Sequence, residues 1–460
     1  MKYSLLIFFA SLFHFSVFAQ SASNAVKNSV DSLIKSEMKI QKIPGASIVV
    51  VKNGKIDYVK GYGYSNLEHN VPVKAETIFQ AGSVGKQFTS FAVMLLVQDG
   101  RMSLEDKLTK YFPDAPLGWD SITVRHLLNH TSGFGDYSNI YDRRADYTED
   151  SLYRYFKKRP LLFKAGDKQR YSNMGYATLG FIISKVAGKF YGDFLKERVF
   201  VPLGMTTARI ISEEDIVPNR AAGYRMVNDN LKNQEWVSPS ANTTADGSMY
   251  VSVLDMVKWE AGLNAGKLLK KEYYDMMWAP TKLNDGTIEN YGFGWSIDSL
   301  YGKRILQHNG SWQGFECTIK RYPEKEMAVV VFANLSKANT YKISTRLLHI
   351  YQPELSISSL KTIKDTEPEI TKLVNNFINN VMDKKMREDQ FTTELAKELM
   401  DSSMQIRGSE YFNAKGKYLK PGLLSRKDLG NGVREYQYRL FFSREILGFM
   451  IQFNKENKIV

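Results

Sequence analysis

The chain has 460 residues, room for about three domains at ~150 residues each. Hydrophobic residues are 43% and aromatics 13%, which excludes global disorder. The 62 Lys and Arg exceed the 49 Asp and Glu by 13, yet no basic block forms, so the excess reads as a solvated basic surface and not a nucleic-acid site. The single Cys, Cys317, excludes an internal disulfide framework and a thiolate zinc site, and it reads as a small buried apolar residue.

Residues 1–19 read as a secretory signal peptide. Lys2 gives a positive start, Leu5 to Phe18 is an apolar run, and Val17-Phe18-Ala19 places small residues before a cleavage at Gln20. The run is short for a spanning helix, which needs ~20 residues. The mature chain is therefore expected to be exported, without an integral membrane span.

Val26, Val30, Leu33, Ile34 and Met38 recur at helical spacing, which predicts an amphipathic helix over Asn24–Lys39. Ser47–Val51 and Ile56–Tyr64 read as strands joined by the hairpin turn Asn53-Gly54. Val84–Gln98 is apolar nearly all round, which predicts a buried helix. Residues 101–270 mix short helical patterns with long polar loops. Strand signals resume at Tyr291–Ile297, Ile305–His308, Phe315–Arg321 and Met327–Asn334, and Thr345–Tyr351 reads as the end of a helix. Strands early and late, with a helical block between, predict one antiparallel sheet built from both ends of the domain. The fold class is α/β (α+β): an antiparallel sheet flanked by helices, with a mostly helical second lobe. This first domain is placed at 24–352. Composition changes at Pro353, and 353–366 reads as a linker. Residues 367–460 read as a small α+β domain, with a helix around Leu373–Met382 and a hairpin of Val433–Phe442 and Ile446–Phe453.

Three short patterns carry chemistry. A Ser hydroxyl needs a base within hydrogen-bond reach to act as a nucleophile, and a Lys one helical turn away can supply it once desolvated. Ser-x-x-Lys occurs at Ser32/Lys35, Ser36/Lys39, Ser83/Lys86 and Ser358/Lys361. Only Ser83 opens an apolar helix, where Lys86 would be buried. Tyr-x-Asn occurs at Tyr64, Tyr137 and Tyr171; the third leads straight into the apolar stretch Met174–Val186. A phenol beside a buried Lys can shuttle a proton, and the Asn173 amide can both donate and accept. His308-Asn309-Gly310 closes a strand, and Gly310 lets another backbone come close.

Together, Ser83-Val-Gly-Lys86, Tyr171-Ser-Asn173 and His308-Asn-Gly310 resemble the three motifs of the serine β-lactamase and penicillin-binding-protein superfamily, in its class C β-lactamase, D,D-peptidase and esterase branch. Phe79-Gln-Ala-Gly-Ser83, Leu127-Leu-Asn-His-Thr-Ser-Gly133, Phe163-Lys-Ala-Gly166 and Pro202-Leu-Gly-Met205 extend the likeness over roughly residues 25–352. The resemblance implies an acyl-enzyme at Ser83, with Lys86 and Tyr171 handling its proton. It implies that Asn173 binds the substrate amide and steadies Lys86, and that His308 lines the pocket. The main-chain N–H groups of Ser83 and Ser311 would form the oxyanion hole. No metal or cofactor is implied.

The branch's β-lactamases usually carry Lys-Thr-Gly as third motif. His308 in place of Lys predicts weaker capture of a β-lactam carboxylate. The expected substrates are therefore D-amino-acid peptides, as for a D,D-carboxypeptidase or D-aminopeptidase, or esters. A β-lactamase is the alternative, and a penicillin-recognising sensor with little turnover is another. His130 and Ser132 read as loop-fixing hydrogen bonders. Trp119, Trp236, Trp259, Trp278 and Trp295 read as core, and Trp312 as a wall of the pocket.

Overall fold

The computed structural model describes residues 23–137, 142–210 and 214–460. The expected signal peptide lies outside these residues. Two compact units divide the chain between Leu347 and Leu348, inside the continuous helix Thr340–Tyr351. The composition change used to expect a boundary at Pro353 lies slightly later.

The first unit opens with helix α1 (Asn24–Gln41), capped by the Ser23 hydroxyl, which accepts the Val26 N–H. Strands β1 (Gly45–Lys52), β2 (Lys55–Asn66) and β3 (Val71–Pro72) follow. Late in the unit come β4 (Ser296–Leu300), β5 (Lys303–Trp312), β6 (Phe315–Tyr322) and β7 (Met327–Ala333). They form one antiparallel sheet in the order β4-β5-β6-β7-β1-β2-β3. The early and late strands meet at its centre, where Val49 pairs with Val330 and Val50 with Val329. Seven of the eight β1 residues and all of β7 are buried. Continuous Val and Ile runs, not alternation, mark strands covered on both faces.

The intervening chain is mostly helical. The expected helix Val84–Gln98 is split: Gly82–Gly85 forms a tighter 3-10 turn, and the α-helix α2 runs from Lys86 to Gln98. Two glycines in four residues permit the tighter turn, and α2 is buried along nearly its whole length. Helix α3 (Asn173–Ala187) is equally apolar. One expectation fails. Trp236 is not core but 62% exposed, while Trp119, Trp259 and Trp295 are buried.

The second unit has its own core, with Ile370, Val374 and Ile378 of α4 (Pro368–Met382) against Tyr436, Tyr438 and Leu440. Its sheet has three strands, β8 (Tyr418–Gly430), β9 (Val433–Phe442) and β10 (Ile446–Phe453), in that order. The hairpin was expected; β8 was not, because Pro421, Gly422 and a charged run hide its alternation. Its register shifts three times against β9. Leu355 and Ile357, within the expected linker, are buried. Among the described residues, no helix is long and apolar enough to cross a membrane.

Candidate active site

The turn Gly82–Gly85 presses Ser83 against the end of β5. Gly82 has φ +52°, and a Cβ there would lie 2.6 Å from the Ser311 nitrogen. Across the same contact, a Cβ on Gly310 would lie 1.9 Å from the Ala81 carbonyl oxygen. Neither backbone could approach so closely with any other residue. The Cys317 thiol, buried beneath, donates to that Ala81 carbonyl at 2.7 Å. The main-chain nitrogens of Ser83 and Ser311 therefore lie on facing backbones.

Lys86 begins α2 and is fully buried. Its ammonium donates to Ser83 Oγ at 3.1 Å and to Asn173 Oδ1 at 2.7 Å, and it also donates to the Asp246 carbonyl. Burial pushes its pKa down to about 8, against the pull of the Asp246 and Asp136 charges. Nζ also lies 4.8 Å from the Tyr171 ring centre and 5.3 Å from that of Tyr176.

Asn173 stands at the start of α3. Ser172 caps that helix by accepting the Gly175 N–H, and donates its own hydroxyl proton to the Gly135 carbonyl. The Asn173 amide is held from both sides, since Nδ2 donates to Asp136 Oδ2 at 3.0 Å. The Tyr171 hydroxyl is buried without a well-formed hydrogen bond. Burial raises its pKa well above 10, with the Ser83 hydroxyl pulling the other way, so it is a neutral phenol.

His130 fixes this turn. Its Nδ1 accepts the Ser172 N–H at 3.1 Å, and its ring lies 4.2 Å from that of Tyr171. A nitrogen that accepts an amide proton carries none, which leaves the proton on Nε2. His308 on β5 has the opposite tautomer. Its Nδ1 faces the Asn309 carbonyl at 2.6 Å and must donate, so Nε2 accepts the Tyr291 hydroxyl at 2.9 Å. Burial and the nearby Lys86 charge push its pKa down to about 4. It is neutral and supplies no cation.

The expected Ser83, Lys86, Tyr171, Asn173, His308, Gly310 and Ser311 thus converge. The competing pairs do not. Ser32/Lys35, Ser36/Lys39 and Ser358/Lys361 are exposed, and Tyr64 is 44% exposed. The residues of Tyr137-Ser-Asn139 after Tyr137 lie outside the described ones. Sequence reasoning missed Asp136, Asp246 and Tyr291, which reach the cluster from separate loops with no spacing to betray them. Asp136, three residues beyond Leu127–Gly133, carried the nearest thing to a signal. A cleft of about 380 Å3 opens over Ser83, with Asn173 and Ser311 beside it and Trp312, Glu316 and Lys337 beyond. Trp312 walls it, as expected.

A half-buried hydroxyl, a buried amine of lowered pKa, a neutral phenol and two facing main-chain nitrogens can carry out acyl transfer. This fold and site are of the serine hydrolase class built on the penicillin-binding-protein and β-lactamase fold. The sequence matches the Beta-lactamase family over residues 30–350, and the chain belongs to that family. It is 27% identical over 314 residues to Penicillin-binding protein 4* of Bacillus subtilis, covering 64% of this chain and 69% of the relative. The octameric penicillin-binding protein homologue from Pyrococcus abyssi superposes with a TM-score of 0.64 at 25% identity, over 92% of this chain and 90% of that one. D-amino acid amidase from Ochrobactrum anthropi shares the fold, with a TM-score of 0.64 at 23% identity, over 72% of this chain and all of its own.

Proposed function

We propose that the protein is an exported hydrolase that forms an acyl-enzyme at Ser83 and cleaves an amide or ester of a D-amino-acid peptide. The observation that carries the reading is the contact of Ser83 Oγ with Lys86 Nζ, a buried amine held at about 8. Neutral Lys86 takes the Ser83 proton, with the Tyr171 phenol able to relay it. Oγ bonds to the substrate carbonyl carbon, and the Ser83 and Ser311 N–H groups hold the oxygen as it gains charge. The C–N or C–O bond then breaks, and the proton passes to the leaving group. Water attacks the acyl ester by the same route, which releases the acid and restores Ser83. Asn173 positions Lys86 and the substrate amide.

The neutral His308 favours this reading over β-lactam hydrolysis, since no cation stands at the third motif to draw a β-lactam carboxylate. The leading apolar run supports export. The test is Ser83→Ala in the purified protein. Hydrolysis of an activated ester and of a D-aminoacyl amide should fall by at least about 10^3; survival of either activity would overturn the mechanism.

A further inference from the structure

The cleft wall carries charged side chains that the mechanism does not use, Arg143, Lys337 and Glu316 among them, and Glu316 stands apart in its bonding. Glu316 lies on β6 directly opposite Ser311 in the register of β5 and β6, half-buried in the wall of the cleft that holds Ser83. Both of its hydrogen bonds fall on one oxygen. Oε1 accepts the Ser311 hydroxyl at 2.8 Å and the Lys337 N–H at 2.9 Å. Lys337 thus gives Glu316 its main-chain N–H and not its ammonium. Among the described residues, no Lys, Arg or His forms an ion pair with this carboxylate. Burial raises its pKa while the two donors oppose the rise. A carboxylate withdrawn from water without a counterion is costly to the fold, and a cationic ligand removes that cost.

We infer that Glu316 is the ammonium-binding subsite of the cleft, so that the acyl part of the substrate carries a free amine that pairs with Oε2 while its carbonyl sits at Ser83. The inference rests on the proposed role of Ser83 and narrows the substrate class. Ser311 joins the two ends: its main-chain nitrogen faces the Ser83 turn and its hydroxyl is held by Glu316. A substrate spanning from Ser83 past Ser311 therefore brings its amino end to Glu316. An N-acylated counterpart brings a neutral amide there and leaves the carboxylate unpaired.

The test is protection of Ser83 from a fluorophosphonate probe by D-alanine amide and by N-acetyl-D-alanine amide, which requires no turnover. In the full chain, the free amine should protect at about tenfold lower concentration, the size of one charge-assisted contact. Glu316→Gln keeps an acceptor for Ser311 and Lys337 and removes the charge, so the ratio should fall to about one. Glu316→Asp keeps the charge and should retain part of the preference, which separates charge from misfolding. Equal protection in the wild type, protection by neither compound, or a preference that survives in Glu316→Gln overturns the inference alone. Labelling that persists in Ser83→Ala overturns the reading of Ser83 instead.

Discussion

At the scale of single residues, Lys86 ties reactivity to stability. Its pKa falls from 10.5 to about 8 on burial. The base form is needed for attack, so kcat/KM should rise with pH and level off above about 8. A profile with no limb near 8 that still climbs above pH 10 would assign the base role to Tyr171 instead. The same shift has a sign for folding. Between about 8 and 10.5 the unfolded chain holds the proton and the folded chain does not, so stability rises with pH through that window; the penalty of burying the charge is full below about 8 and gone above about 10.5. At neutral pH the shift represents on the order of 3 kcal/mol against the fold. Lys86→Met should therefore abolish ester hydrolysis while raising the melting temperature at pH 7. A lower melting temperature would mean that the bonds to Asn173 and Asp246 outweigh the desolvation. His308, held near 4, should add no second limb between pH 5 and 6.5, where kcat/KM should climb about tenfold per pH unit with the base form of Lys86 alone.

At the scale of elements, the site depends on how closely the Ser83 turn and β5 can approach. Gly310→Ala would set a methyl 1.9 Å from the Ala81 oxygen and 2.6 Å from the Cys317 sulfur. The backbones must part, which should cost about 1–3 kcal/mol of stability and lower kcat more than it raises KM. A kcat equal to that of the wild type would show that the oxyanion donors do not depend on this contact. The elements themselves differ in how far the sequence reveals them. The valine runs of β1 and β7, the Asn53-Gly54 turn and the all-apolar α2 follow from local pattern alone. The 3-10 turn before Lys86 does not, because a helical period says nothing about its first turn. Strand β8 is hidden by Pro421 and by a polar face. The three motifs were legible because each sits at the start or end of an apolar element. Their neighbours were not, because Asp136, Tyr291 and Glu316 act through tertiary contacts with no fixed spacing. Trp236 shows the reverse failure, since residue type alone suggests burial and its polar surroundings do not provide it.

At the scale of the whole molecule, every residue assigned to the candidate site comes from the first unit, and the second has a separate core. A chain ended after Gln352 should therefore keep its Ser83 labelling by a fluorophosphonate. Loss of labelling in a folded truncation would show that the second unit completes the site. The net charge of +13 belongs to this scale as well. Lys320 and Arg321 are buried as well as Lys86, and the cation that the proposed chemistry uses is Lys86.

The most direct measurement is peptide mapping by mass spectrometry after treatment of the purified protein with a fluorophosphonate or a penicillin. The account predicts one adduct, on the peptide containing Ser83, absent in Ser83→Ala. An adduct on any other residue, or none with either reagent, would contradict it.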